Sequence, residues 1–265
     1  MTNFKQDLLQ GRNAFVAGGT SGINLEIART LAAHGARVAV LSRSQDKVDA
    51  AVAEIGHGAI GFAADVRDYA AVETAIKGAA TVLGPLDIVV SGAAGNFVAP
   101  AAAMSANAFK TVIDIDLLGT FHVLRAAHDA ARKPGASMMS ISAPQSTEPY
   151  WGQAHVSAAK AGIDMLTRSL AMEWGPSGIR VNAIVPGPID DTEGMARLAP
   201  NPKARAVVER SVALGRFGTK ADIANMALFL ASQAAAYVTG SILYCDGGQV
   251  LSGGAAMSPQ AFAGN

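Results

Sequence analysis

Short, nearly continuous apolar runs separated by stretches of helical periodicity constrain this chain more than any other feature. The runs fall at 13–17, 37–41, 59–63, 86–90, 137–142, 180–185 and 241–245. A strand covered on both faces reads this way, because neither side chain direction meets water. Helical periodicity fills 23–34, 45–55, 70–82, 107–131, 157–174 and 220–231. Strand–helix alternation this regular predicts an α/β fold with a parallel, doubly wound sheet and helices on both faces. With no linker or internal repeat, 1–265 reads as a single domain. The least regular stretch, 187–216, carries Pro188, Pro200 and Pro202, with room for two short helices. A long excursion at the carboxyl end of a strand is where a substrate lid is expected.

The turn Ala17-Gly18-Gly19-Thr20-Ser21-Gly22-Ile23 follows the first run directly and opens the first helix. Glycines let the backbone turn tightly and approach a pyrophosphate, and the helix N-terminus offers oriented N–H groups to the anion. In this strand–turn–helix context the turn predicts a Rossmann-type dinucleotide site using Gly18, Thr20, Ser21, Gly22 and Ile23. Asn24 stands where a third glycine usually permits close helix–strand contact. An acid at the end of the second run would bind the ribose 2′-hydroxyl of NAD. Arg43 is there instead, between Ser42 and Ser44. A guanidinium can fork onto a 2′-phosphate and stack on adenine, which favours NADP(H). Asp65, after the third run, suits either the adenine amino group or the N-cap of the next helix, a cap that Asp68 could also supply.

Other function classes lose support from composition. Lys plus Arg and Asp plus Glu both number 21, so no basic footprint for nucleic acid or an anionic membrane is present. No apolar run approaches the roughly 20 residues of a membrane span. Cys245 is the only cysteine, which excludes an internal disulfide and a cysteine-based metal site, and no metal is expected. The first residues, Met1 to Asp7, lack a secretory layout, and Ala263-Gly264-Asn265 is no peroxisomal address. A cytoplasmic location is the expectation.

The glycine turn, Asp65-Val66, Ser91-Gly92-Ala93-Ala94-Gly95, Lys160, Pro186-Gly187-Pro188-Ile189 and Asp246-Gly247-Gly248 together resemble the short-chain dehydrogenase/reductase family over nearly the whole chain. The resemblance implies a homotetramer, with the helices at 107–131 and 157–174 pairing across an interface. It implies that Val66, Ala93, Lys160, Pro186, Gly187 and Ile189 line the cofactor, and that Thr192 reaches the pyrophosphate or else caps a short helix. The family uses Asn, Ser, Tyr and Lys for catalysis. Here the tyrosine position, four before Lys160, is Val156; the serine position is Ala143; the asparagine position is Asp116. The usual proton donor to a carbonyl is missing.

Longer segments narrow the resemblance. Ala93-Ala94-Gly95-Asn96-Phe97, 109–116, Gly119-Thr120-Phe121 and Thr192-Glu193-Gly194 are similar to 2,4-dienoyl-CoA reductases of the peroxisomal kind. This implies NADPH-dependent hydride addition to a conjugated enoyl thioester in fatty acid metabolism, with Asp116 and Lys160 as the catalytic pair and an acyl-CoA as substrate. Asp116 sits between Ile115 and Leu117, and we expect it to order or protonate a water that returns the proton. Asn96 and Phe97 are substrate-side residues by the same resemblance. Arg67 and Arg197 either meet CoA phosphates or are surface arginines. Ser142 is a candidate hydrogen-bond partner for a thioester or carboxamide. Tyr150, near the expected nicotinamide, is the alternative acid, and His155 reads as a cap or wall residue. The competing readings are a carbonyl or 3-oxoacyl reductase with a non-standard acid, and an inactive nucleotide-binding member.

Overall fold

A computed structural model describes residues 4–251. Seven parallel strands form one sheet in the order β3-β2-β1-β4-β5-β6-β7. They are β1 (Asn13–Ala17), β2 (Arg37–Ser42), β3 (Ile60–Ala63), β4 (Ile88–Ser91), β5 (Ser137–Ile141), β6 (Arg180–Pro186) and β7 (Ile242–Cys245). The order reverses beside β1, where Ala17 pairs with Leu41 of β2 on one side and Ser91 of β4 on the other. In open α/β sheets that reversal leaves a crevice at the carboxyl ends of the strands, where ligands bind.

The helices are α1 (Gly22–Ala33), α2 (Gln45–Ile55), α3 (Tyr69–Leu83), α4 (Ala106–Val112), α5 (Gly119–Ala130), α6 (Ala154–Trp174), α7 (Glu193–Leu198), α8 (Pro202–Ser211) and α9 (Lys220–Ala231). Successive strand residues point to opposite faces, so each strand feeds two cores. Phe15 and Val89 meet Ile76, Leu124 and Leu170 from α3, α5 and α6. Val16 and Val90 meet Ile27, Leu31, Ala224 and Leu228 from α1 and α9.

Two differences from the sequence reading bear on function. The stretch read as one helix over 107–131 is α4 and α5 joined by a π-helical turn, Ile113–Leu118, which contains Asp116. Hydrophobic periodicity barely registers a single wide turn, and such turns recur at functional sites. Helix α6 begins at Ala154, three residues before the expected 157, so His155 and Val156 lie in its first turn. The segment 187–216 forms α7 and α8. The Gly-, Ala- and Ser-rich sequence after 251 lies outside the described residues.

Candidate active site

Gly18 takes the left-handed backbone at φ +76°, and a Cβ on it would lie 2.8 Å from the Ala93 nitrogen. Only glycine lets β1 turn this closely past the end of β4. Ser21 stands at the N-cap of α1 in extended backbone, its side chain makes no capping bond, and the first turn carries no acid. The α1 N-terminus therefore keeps its N–H groups for an outside anion. Thr20, Ser21, Arg43, Asp65, Val66 and Ala93 line one cleft of about 280 Å³ there. Arg43 is exposed, with Lys47 also on the cleft wall.

Asp65 does not cap α3: Asp68 does, accepting from the Ala71 N–H. Asp65 is instead held by Arg67, whose Nη2 lies 2.6 Å from Oδ2, and this hydrogen bond keeps its carboxyl below the usual range. Arg67 thus already spends its guanidinium on Asp65, with its side chain 46% exposed.

A second cleft of about 270 Å³ adjoins the first, sharing Asn24, Gly92 and Ala94. Ile23, Ser142, Tyr150, Lys160, Pro186, Gly187, Ile189 and Thr192 line it. Gly187 belongs at this wall because a Cβ would meet the Asp246 backbone at 2.5 Å. The Thr192 hydroxyl serves the protein itself, accepting from the Met195 N–H and donating to the Ile189 carbonyl, so it caps α7. A larger cleft, about 500 Å³, opens beside Arg12, Asp87, Arg180 and Tyr237 at the amino ends of the strands, remote from these residues.

Lys160, on the wall of the second cleft, forms a buried ion pair with Asp116. Lys160 is 6% exposed and Asp116 1%. Lys160 Nζ donates to the Ile141 carbonyl at 3.0 Å and lies 3.2 Å from Asp116 Oδ2. Asp116 Oδ1 accepts from the Gly95 N–H at 2.7 Å. Its Oδ2 has charge attraction to Lys160 but no aligned hydrogen bond. The π-helical turn carries Asp116 in a buried position, and Val156, four residues before Lys160 and 3% exposed, offers no hydroxyl.

The substrate-side candidates also meet. Asn96 accepts at Oδ1 from Gln153 Nε2, and Gln153 Oε1 accepts from Gln145 Nε2. Arg197, on α7, donates to the Asn96 carbonyl at 3.0 Å and pairs with Glu193, so its fork is occupied by the protein. Phe97 lies against the His155 ring, with centroids 4.2 Å apart. Ser142 Oγ donates to the buried Asp164 at 2.6 Å. Burial first, then Glu148 and Asp246, pushes the Tyr150 phenol above its usual range, so Tyr150 holds its proton more tightly than a free tyrosine.

Sequence reasoning passed over Asp164, Gln145 and Gln153. Asp164 had a signal: it lies four residues after Lys160 and so on the same helix face. The two glutamines had none, because loop geometry brings them together. Among the described residues, no group of three or more His, Cys, Asp or Glu side chains is placed to hold a metal ion.

Comparison with known proteins gives the family. The model described as enoyl-(acyl carrier protein) reductase matches residues 17–249. The chain belongs to the short-chain dehydrogenase/reductase family. It is 45% identical over 251 residues to the peroxisomal 2,4-dienoyl-CoA reductase [(3E)-enoyl-CoA-producing] of Rattus norvegicus, covering 92% of this chain and 86% of that one. A probable 2,4-dienoyl-CoA reductase [(2E)-enoyl-CoA-producing] of Bacillus subtilis is 39% identical, covering 92% and 98%. A solved structure, a putative short-chain alcohol dehydrogenase from Sinorhizobium meliloti, matches with a TM-score of 0.87 at 33% identity, covering 93% of this chain and 99% of that one. The chain is thus an oxidoreductase, similar to 2,4-dienoyl-CoA reductases, and its fold and relatives imply a nicotinamide cofactor. The cytoplasmic expectation is overturned: relatives at 41–45% identity are named as peroxisomal enzymes. A low cysteine count reports a reducing compartment and does not distinguish one from another.

Proposed function

We propose that this protein reduces 2,4-dienoyl-CoA thioesters to 3-enoyl-CoA with NADPH. The observation that carries the reading is the buried Asp116–Lys160 pair at a site whose tyrosine position is Val156. The open α1 N-terminus, Gly18 and the Arg43–Lys47 wall fit a dinucleotide with a 2′-phosphate. When bound, the reduced cofactor supplies a hydride. Hydride joins the distal carbon of the conjugated chain, and the electron pair moves through the diene to the thioester oxygen. One proton then closes the balance at the carbon beside the carbonyl, giving the 3-enoyl thioester.

The chain's own groups handle that last proton. Lys160 carries positive charge where the enolate oxygen develops its negative charge. Asp116 Oδ2 keeps a lone pair to orient a water that delivers the proton, and Gly95 fixes its other oxygen. No alcohol forms, so a hydroxyl at position 156 has nothing to do. Asn96, Phe97 and Ser142 would contact the acyl and thioester groups. We assign α7 and α8 as the lid over 187–216, with Arg197 fastening α7 to Asn96. Thr192 then serves the cofactor by holding the α7 end that faces it.

A homotetramer is supported by exposed apolar side chains on the family's pairing helices, among them Phe109, Phe121, Met165 and Met172. The test is a purified-protein assay following loss of the dienoyl ultraviolet band together with NADPH oxidation. Stoichiometric loss of both is expected. Turnover of simple ketones without dienoyl turnover would instead favour a carbonyl reductase using Tyr150.

A further inference from the structure

His155 stands out among buried groups that the proposed reaction does not use. Its side chain is 0% exposed, and neither ring nitrogen makes a well-aligned hydrogen bond. The ring reaches the Phe97 backbone only in poor alignment, and a polar group buried without a well-made hydrogen bond is costly, so the ring calls for a reason. The ring lies face-inclined on Phe97 at 4.2 Å, on the loop whose Gly95 N–H holds Asp116. Asp116 in turn carries the other orphaned oxygen of this neighbourhood, Oδ2. Burial keeps the imidazole below the usual histidine range, while the Asp116 charge and the Phe97 backbone pull the other way. The charged group that acts on the ring is Asp116, on the π-helical turn.

We propose that His155 is a positioning residue for the proton step, its ring nitrogens serving the polar subsite around Asp116 while its face seats Phe97. The inference rests on the dienoyl-CoA reading for its kinetic arm. Its structural arm, the coupling of His155 to Asp116, stands apart from any substrate.

Two variants separate the ring's functions. His155→Phe keeps the stack on Phe97 and removes both nitrogens; His155→Gln keeps a donor and acceptor and loses the stack. For dienoyl-CoA turnover, we expect His155→Phe to lower kcat by about tenfold or more with KM within about twofold, and to change the pH profile of kcat. His155→Gln should recover most of kcat and raise KM. Cofactor binding and melting temperature check that each variant folds. The second measurement is an NMR titration of His155 in the wild type and in Asp116→Asn, where losing the carboxylate should lower the imidazole midpoint. A His155 midpoint unmoved by Asp116→Asn overturns the proposal, and so does a wild-type kcat and pH profile in His155→Phe. If the wild-type protein turns over no dienoyl-CoA, the functional reading fails, and the titration alone decides the role of His155.

Discussion

Asn24 donates through Nδ2 to the carbonyl of Gly92 at 2.8 Å, tying α1 to the end of β4. A Cβ on Gly92 would fall 2.2 Å from Asn24 Oδ1, so the two residues fit each other. The contact that a third glycine usually makes by closeness is made here by a hydrogen bond. Asn24→Ala removes the donor and leaves a gap beside the cofactor clefts. We expect it to cost about 1 kcal/mol of stability, or roughly 2–4 °C in melting temperature, by calorimetry. NADPH affinity measured by fluorescence should weaken too, since Asn24 borders both clefts.

Arg43 lines the first cleft and is exposed, so under the proposed reading it is free to close on the 2′-phosphate of NADPH. Arg43→Ala removes a charge-assisted fork worth about 1.5–3 kcal/mol. The expected result is a rise in the NADPH KM of about tenfold or more, with the NADH KM changed little. Equal losses for both cofactors would mean Arg43 serves the adenine or the fold and not the 2′-phosphate.

Much of this was legible in the sequence, because periodicity and glycine position act locally. The α2 and α9 bounds match the expected 45–55 and 220–231, since a capping serine or threonine marks each start. Ser44 accepts from the Lys47 N–H, and Thr219 with Asp222 forms a capping box. Asp116 and Lys160 could be named from spacing and resemblance, but their 3.2 Å approach depends on one π-helical turn. Val156, His155 and the Gln145–Gln153–Asn96 chain were not legible as a unit. Their contacts join three separate loops and helices, and residue type alone carries no such information.

Asp87 gives the fold a pH dependence away from the site. Burial alone would raise its carboxyl, yet Arg132, Arg12 and the Asn13 N–H together hold it below the ordinary value. A depressed carboxyl stabilises the fold above its unfolded value of about 3.9 and loses that contribution as pH falls through the folded value. Asp87→Asn should lower the melting temperature at pH 7, by an amount corresponding to about 1–3 kcal/mol, because its arginine partners are partly exposed. The gap between variant and wild type should narrow as pH approaches 3. A gap independent of pH would show that Asp87 acts by shape and hydrogen bonding alone.

Val156→Tyr asks whether the family's tyrosine could simply be restored. Val156 is 3% exposed and packs with Val112, Ala159, Phe97 and Leu117. A phenol needs far more room than an isopropyl group, and overpacking of this kind typically costs about 1–3 kcal/mol. Space is only half of the matter. A phenol beside Lys160 would compete with Asp116 for the ammonium, 3.2 Å away in the native pair. The variant is therefore expected to melt lower, to lose dienoyl-CoA turnover, and to gain no reduction of simple ketones. Adding Asp116→Asn to Val156→Tyr relieves the competition. Any ketone activity should then appear only in the double variant, measured as NADPH oxidation with a small cyclic ketone. Ketone reduction by the single variant would mean that Asp116 does not control the Lys160 ammonium.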